Sequence, residues 1–270
     1  VTLLGAAAHG ADFGELSRLE QSGARISAVA VDLTDNSVIA QMNPAQRLTP
    51  ASLTKLVVSA AALNSWPADR IFKTQLLAAR SVTEGKVAGD LYLVGAGDPS
   101  LTGHNLWALA AQLKSAGVKA VGGNLVVIPA PFASVTCETK DRCDAAKISD
   151  NAFDAPLASV GIDFGTWCID VRATTPGEPA LISGCTTQLP IAIRGVVATS
   201  GPDEKNALRV ERLTDADGVD TLRVGGTVPL NSSQRVFRAM SDPALGAGLL
   251  LRATLADIGI PIAHGVTVRD

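Results

Sequence analysis

The sequence predicts an α/β protein in which a separate β-rich unit occupies the middle of the chain, between segments that hold helices. Two observations carry this: apolar residues fall at helical spacing near both ends of the chain, whereas the middle holds short strand-like runs separated by polar turns. A length of 270 residues with 47% hydrophobic content is enough for one large core or two modest ones. Charged residues make up 18% and the formal net charge is −3. No basic field exists to hold a phosphate backbone and no Lys/Arg cluster alternates with aromatics, so nucleic acid is not an expected partner.

Residues 12–22 place Phe13, Leu16 and Leu19 on one helical face and stop at Gly23, predicting a first short helix. The period then changes. Residues 25–33 and 37–41 flank the turn cluster Thr34-Asp35-Asn36 and read as an antiparallel hairpin. Residues 52–64 follow Pro50-Ala51, are rich in Ala and Leu, carry almost no charge after Lys55, and end at Trp66-Pro67, which predicts a buried helix. From about Arg70 strands are expected over 72–79, 89–94, 124–128, 168–173, 188–197, 208–211 and 221–228. A helix interrupts them at 104–116, ended by Gly117. The last helix, 242–258, has Asp242 at its N-cap, Pro243 at the first helical position and Gly259 after it.

Cys137, Cys143, Cys168 and Cys185 are confined to one region, and their even number reads as two disulfides. The nearest pairing is Cys137 with Cys143 and Cys168 with Cys185, although three connectivities are possible. A zinc site would want tighter spacing or neighbouring histidines, and His9, His104 and His264 lie elsewhere, so no metal or other cofactor is expected. Disulfides imply an oxidising compartment. Residues 1–11 read as the tail of a secretory signal, with Ala6-Ala7-Ala8 as an A-x-A cleavage site. No run of eighteen apolar residues occurs, so no transmembrane span is expected.

Ser52-Leu53-Thr54-Lys55 is an S-x-x-K sequence at the start of the second helix. Residues i and i+3 share a helix face, so the lysine can fold back to the serine hydroxyl. A serine is a poor nucleophile until a base takes its proton, and a lysine can do so when its surroundings favour the neutral amine. Leu53, Leu56, Val57 and Val58 are the residues expected to supply that apolar setting. The helix N-terminus favours a developing oxyanion. The tetrapeptide alone is a weak signal.

Its flanks are more specific. Leu48-Thr49-Pro50-Ala51 precedes it, and Gly95-Ala96-Gly97-Asp98-Pro99-Ser100-Leu101 follows the Ala-rich helix after the run 89–94. With the Asn43-Pro44 hairpin end, Arg47, the stretches 123–127, 155–157 and 161–163, and the helix end 257–260, nearly the whole chain resembles the class C low-molecular-mass penicillin-binding proteins. These are D-alanyl-D-alanine carboxypeptidase/endopeptidases. The resemblance implies a transpeptidase/β-lactamase-like α/β domain interrupted by the β-rich insertion. Residues 12–75 would be its first part, 76–240 the insertion and 241–270 the start of the return. It implies Ser52 as nucleophile and Lys55 as base, peptidoglycan stem peptides as substrate, β-lactams as ligands and a periplasmic location.

The chain also departs from that pattern. The S-x-N and K-T-G elements that the resemblance calls for are expected past Asp270, since no K-T-G, K-S-G or H-T-G occurs here. Domain completion and activity are therefore weighed against a chain that only binds peptidoglycan or a partner protein. Ser149-Asp150-Asn151 spells S-D-N but sits in the insertion, where a turn or cap cluster is expected. Val127-Ile128-Pro129-Ala130-Pro131-Phe132 carries no carboxylate to meet an amino group of a stem peptide. The Gly95-Ala96-Gly97 pair lacks the third spaced glycine of a nucleotide loop and reads as a turn.

Overall fold

The computed structural model describes residues 13–129, 143–144, 149–185 and 189–269. The expected signal tail, residues 1–11, lies outside them. The chain divides into two compact units, 1–70 and 71–270.

In the first unit, α1 spans Gly14–Gln21, and Gly23 takes φ +100° just beyond it, where the chain reverses. Strands β1 (Ala28–Val31) and β2 (Val38–Met42) pair antiparallel from Ala28↔Met42 to Val31↔Val38, as the sequence predicts. Their turn is closed by carboxylates: Asp32 accepts from the Thr34 N–H at 2.8 Å and Asp35 from the Ser37 N–H at 2.9 Å. Those bonds hold both carboxyls below the usual range. Asn43 then ties helix to hairpin by donating to Glu20 Oε1 (2.6 Å) and the Ile26 carbonyl (3.2 Å). A 3-10 turn, Ala51–Leu53, opens α2, Thr54–Ser65. The expectation of a buried helix is not met in this unit: no residue of α2 is buried. A short helix and a two-stranded hairpin offer too little surface to cover twelve apolar-rich residues.

The second unit starts from a four-stranded sheet in the order β17-β8-β6-β3, made by β3 (Gln75–Ala78), β6 (Leu91–Val94), β8 (Leu125–Ile128) and β17 (Val266–Val268). Only β3 runs antiparallel to its neighbour. A second, smaller sheet joins β4 (Val82–Thr83), β5 (Lys86–Val87) and β7 (Ala120–Val121). The parallel pair β6 and β8 needs a crossover, supplied by α3, Gly103–Ser115. Helix α3 begins with a capping box, in which the Thr102 hydroxyl and the Asn105 side chain each accept the other's backbone N–H. Helix α4, Pro243–Asp257, starts as expected: Asp242 Oδ1 accepts from the Ala244 and Leu245 N–H groups at 2.9 and 3.0 Å.

The remaining strands form three small sheets. One has the order β10-β9-β16, with β9 at Thr166–Arg172, β10 at Leu181–Gly184 and β16 at Ser233–Ala239. Another has the order β11-β14-β13, with β11 at Ala192–Gly195, β13 at Arg209–Thr214 and β14 at Asp220–Gly225. The third pairs β12 (Ala198–Ser200) with β15 (Thr227–Pro229). The single strand expected over 221–228 is therefore two, broken at Gly226, where φ is +86° and a Cβ would collide with the Ala207 carbonyl. The expected Cys168–Cys185 disulfide is present and ties β9 to the end of β10. Cys143 is also disulfide-bonded, while Cys137 lies outside the described residues.

Buried Asp220 joins three of these pieces. One oxygen accepts from Trp167 Nε1 (2.7 Å, β9) and the Ser241 N–H (2.9 Å), the other from Thr214 Oγ1 (2.7 Å, β13), and Arg212 Nε stands 3.9 Å away. Asp220→Ala would strand these donors in the core, while the Arg212 guanidinium keeps the Ala239 and Ser149 carbonyls, and we expect a loss of about 3–5 kcal/mol, read by denaturant unfolding.

Elsewhere in the unit, Asp90 Oδ1 accepts from the Asn124 N–H at 2.7 Å and from its amide at 3.2 Å. The Asn124 backbone bond, and more weakly Arg269 and His264, hold the Asp90 carboxyl below its ordinary value of 3.8. A carboxylate depressed on folding contributes stability that is present above that value and lost as pH falls below it. Asp90→Asn is accordingly expected to flatten the acid limb of the stability profile and leave its neutral plateau equally flat. A limb as steep as wild type would refute the assignment.

Candidate active site

The turn that opens α2 is built in four steps. Pro50 takes right-handed angles (φ −71°, ψ −16°), Ala51 swings to φ +45°, and Leu53 and Thr54 return to φ −66° and −57°. The Leu53 N–H closes onto the Pro50 carbonyl at 2.9 Å. The Ala51 carbonyl is held twice by Thr54, through its backbone N–H and through Oγ1 at 2.7 Å. A side chain at left-handed φ is disfavoured, so Ala51 persists there only because the bonds around it outweigh that cost.

This turn brings the two expected residues together. Lys55 Nζ lies 3.2 Å from Ser52 Oγ, within donor reach of the hydroxyl. The pair spans one helical turn, as the spacing predicts. Both side chains are exposed, and the flanking apolar residues are as well: Leu53, Leu56, Val57 and Val58 are 65–71% accessible. The desolvation expected of them is not delivered by the described residues of this unit. The positive end of α2 lies at the same turn and favours negative charge developing there. What the arrangement offers chemically is a hydroxyl nucleophile with an amine at hydrogen-bonding distance.

The other motifs are absorbed by structure in the second unit. Ser149 Oγ donates to Asp154 Oδ2 at 2.8 Å and accepts from the Asn151 N–H at 3.1 Å. Asp150 accepts from the Arg212 N–H at 3.0 Å and pairs with Arg238 at 3.2 Å. The S-D-N sequence is a turn that fastens β13 and β16, in keeping with the expectation. Gly97 (φ +77°) donates to the Ser159 carbonyl at 3.0 Å, and a Cβ at Gly95 would overlap Ser159 and Val160, so these glycines let residues 95–97 lie close against the 159–160 segment, while the expected turn comes later, at Pro99-Ser100. Two segments distant in sequence meet beyond it. The Leu101 carbonyl accepts from the Asp163 N–H at 2.9 Å, and Asp163 Oδ2 accepts from the Gly103 N–H at 3.4 Å. Burial pushes the Asp163 carboxyl up. His104 stacks on Trp107 with ring centroids 6.3 Å apart. Among the described residues no group of three His, Cys, Asp or Glu side chains could hold a metal ion.

Sequence reasoning missed Ala51 and Thr54. Neither residue type signals a left-handed turn, and the hydroxyl of Thr54 occupies a variable position of the motif.

Three comparisons bear on this geometry. The family D-Ala-D-Ala carboxypeptidase 3 (S13) matches residues 11–270. A D-alanyl-D-alanine carboxypeptidase of Actinomadura sp. is 28% identical over 259 residues, covering 90% of this chain and 46% of its own length. The D-alanyl-D-alanine carboxypeptidase DacB of Haemophilus influenzae is 28% identical over 193 residues, 70% of this chain and 39% of that protein. The chain thus spans a little under half the length of the curated relatives it matches. Among solved structures, penicillin binding protein 4 (dacB) from Haemophilus influenzae aligns over 94% of this chain and 55% of its own, with a TM-score of 0.67 and 23% identity. The same protein complexed with a novel β-lactam aligns with a TM-score of 0.63 and 24% identity, covering 94% of this chain and 53% of that one. The α/β fold interrupted by a β-rich segment is shared over that span.

If Ser149 serves the turn, Ser149→Ala costs about 1–2 kcal/mol of stability, read by denaturant unfolding, and an unchanged stability would refute that role.

Proposed function

The chain belongs to the D-Ala-D-Ala carboxypeptidase 3 (S13) family, and we propose that it is the nucleophile-bearing part of a serine peptidase that cleaves the D-Ala-D-Ala end of peptidoglycan stem peptides. The observation that carries this reading is the 3.2 Å approach of Lys55 Nζ to Ser52 Oγ at the start of α2. Family membership speaks for a peptidase over a protein that only binds peptidoglycan.

In this mechanism Lys55 is the base that accepts the Ser52 hydroxyl proton while Oγ attacks the carbonyl of the penultimate D-Ala. The carbonyl π electrons move to oxygen, and the Ser52 backbone N–H is one donor to that oxyanion. Collapse breaks the peptide bond, and the departing D-alanine amine takes up the proton. Water then adds to the ester, its proton leaves through the same base, and Ser52 is regenerated. Hydrolysis of D-Ala cross-links would follow the same course. A β-lactam amide would enter the same path and open on Ser52, a reading supported by the β-lactam complex of the structural neighbour.

Residues 12–75 are assigned in this reading to the catalytic domain, 76–240 to the insertion and 241–270 to the chain's return. A periplasmic location reached through a cleaved signal accords with the disulfides at Cys168–Cys185 and Cys143.

Release of D-alanine from a synthetic acyl-D-Ala-D-Ala peptide by the intact protein tests the assignment. Ser52→Ala and Lys55→Met are each expected to lower kcat by about 10³-fold or more, with far smaller changes in KM. Undiminished release by Ser52→Ala would end the assignment.

A further inference from the structure

The Ala51 carbonyl accepts two hydrogen bonds from one residue, Thr54, and one of them is from a side chain at 2.7 Å. That carbonyl belongs to the peptide linking Ala51 to Ser52. A peptide group is planar and trans, so its C=O and N–H point in opposite directions. Fixing the Ala51 oxygen toward Thr54 therefore fixes the Ser52 N–H to face away from α2. The peptide needs such fixing because Ala51 stands at φ +45°, a region that an alanine leaves readily when nothing restrains it. The restraint is local, since the Ala51 and Thr54 side chains are both exposed and no packed core holds the turn in the described unit.

We propose that Thr54 is a positioning residue: its hydroxyl latches the left-handed Ala51 so that the Ser52 N–H is aimed at the oxygen that becomes negative when Ser52 is acylated. The proposal rests on the assignment of Ser52 as nucleophile. Thr54 touches neither substrate nor the reacting atoms. It acts through the orientation of one peptide plane, and its effect is confined to the step in which charge appears on the substrate oxygen. Replacing the hydroxyl by a methyl of similar shape removes one of the two bonds to the Ala51 carbonyl and leaves the backbone N–H bond alone to hold it.

The test is the acylation of the intact protein by a fluorescent penicillin, followed as rate constant, apparent binding constant and final stoichiometry for wild type, Thr54→Val, Thr54→Ser and Ser52→Ala. Thr54→Val is expected to lower the acylation rate constant by about tenfold or more, with binding constant and final label per chain unchanged. Thr54→Ser, which keeps the hydroxyl, is expected to stay within about threefold of wild type, a partial cost of losing the β-branch that restricts its rotamer. A purely structural role would instead reduce the final label per chain, because misfolded molecules never react, and that result overturns the proposal. So does a Thr54→Val variant acylated at the wild-type rate, or a Thr54→Ser variant as slow as Thr54→Val. The underlying assignment is judged separately: Ser52→Ala must not label, and if it does, the nucleophile is wrong whatever Thr54 does.

Discussion

Residues 71–270 depend on how closely α4 can approach what it covers. Its first half holds four small residues, Ala244, Gly246, Ala247 and Gly248. At Gly248 a methyl group would come within 2.7 Å of Val127 on β8 and 2.5 Å of Val266 on β17. At Gly246 it would meet Met240 at 2.5 Å and Trp167 on β9 at 3.3 Å. The two glycines thus let one helix lie against the four-stranded sheet and against the start of the β9 sheet. The lost helix propensity is about 1 kcal/mol per glycine, set against a core that includes Val127, Trp167, Met240, Ala247 and Leu251. Trp167, held beneath α4, is also the residue whose indole reaches Asp220, so the close approach and the buried carboxylate fix the same corner.

The first unit works by the opposite means. Among its described residues none is buried, and hydrogen bonds tie its parts: carboxylates closing the hairpin, Asn43 joining helix to strand, and Thr54 gripping Ala51. Such bonds are individually worth about 0.5–1.5 kcal/mol and are directional. Ser52 and Lys55 meet through the geometry of a helix start, which sequence spacing alone can encode.

What the sequence revealed follows from the same division. Helices α1, α3 and α4 and the first hairpin were legible because spacing, caps and turn residues all agreed, most clearly at Asp242-Pro243. Strand β16 escaped because its outward residues include Arg235 and Phe237, and Arg238 breaks the apolar alternation; β17 is three residues long. The split at Gly226 depends on a carbonyl of a distant segment, which no local pattern reports. Helix α2 misled in one respect: apolar composition promises burial, but burial needs a partner surface, and the hairpin and α1 do not provide one. At the site, the S-x-x-K spacing announced Ser52 and Lys55, whereas the φ of Ala51 is a property of the folded turn and leaves no trace in residue type.

Whether chemistry happens at Ser52 decides the proposed assignment. The most direct measurement is peptide mapping by mass spectrometry of the intact protein after reaction with a β-lactam. Cleavage after Arg47 and Lys55 isolates residues 48–55, which contain Ser52 together with Thr49 and Thr54. This peptide is expected to gain the whole mass of the β-lactam, because ring opening expels no leaving group, and fragmentation is expected to place it on Ser52. An unmodified 48–55 peptide with the adduct on another segment, or an adduct on Thr49 or Thr54, would contradict it.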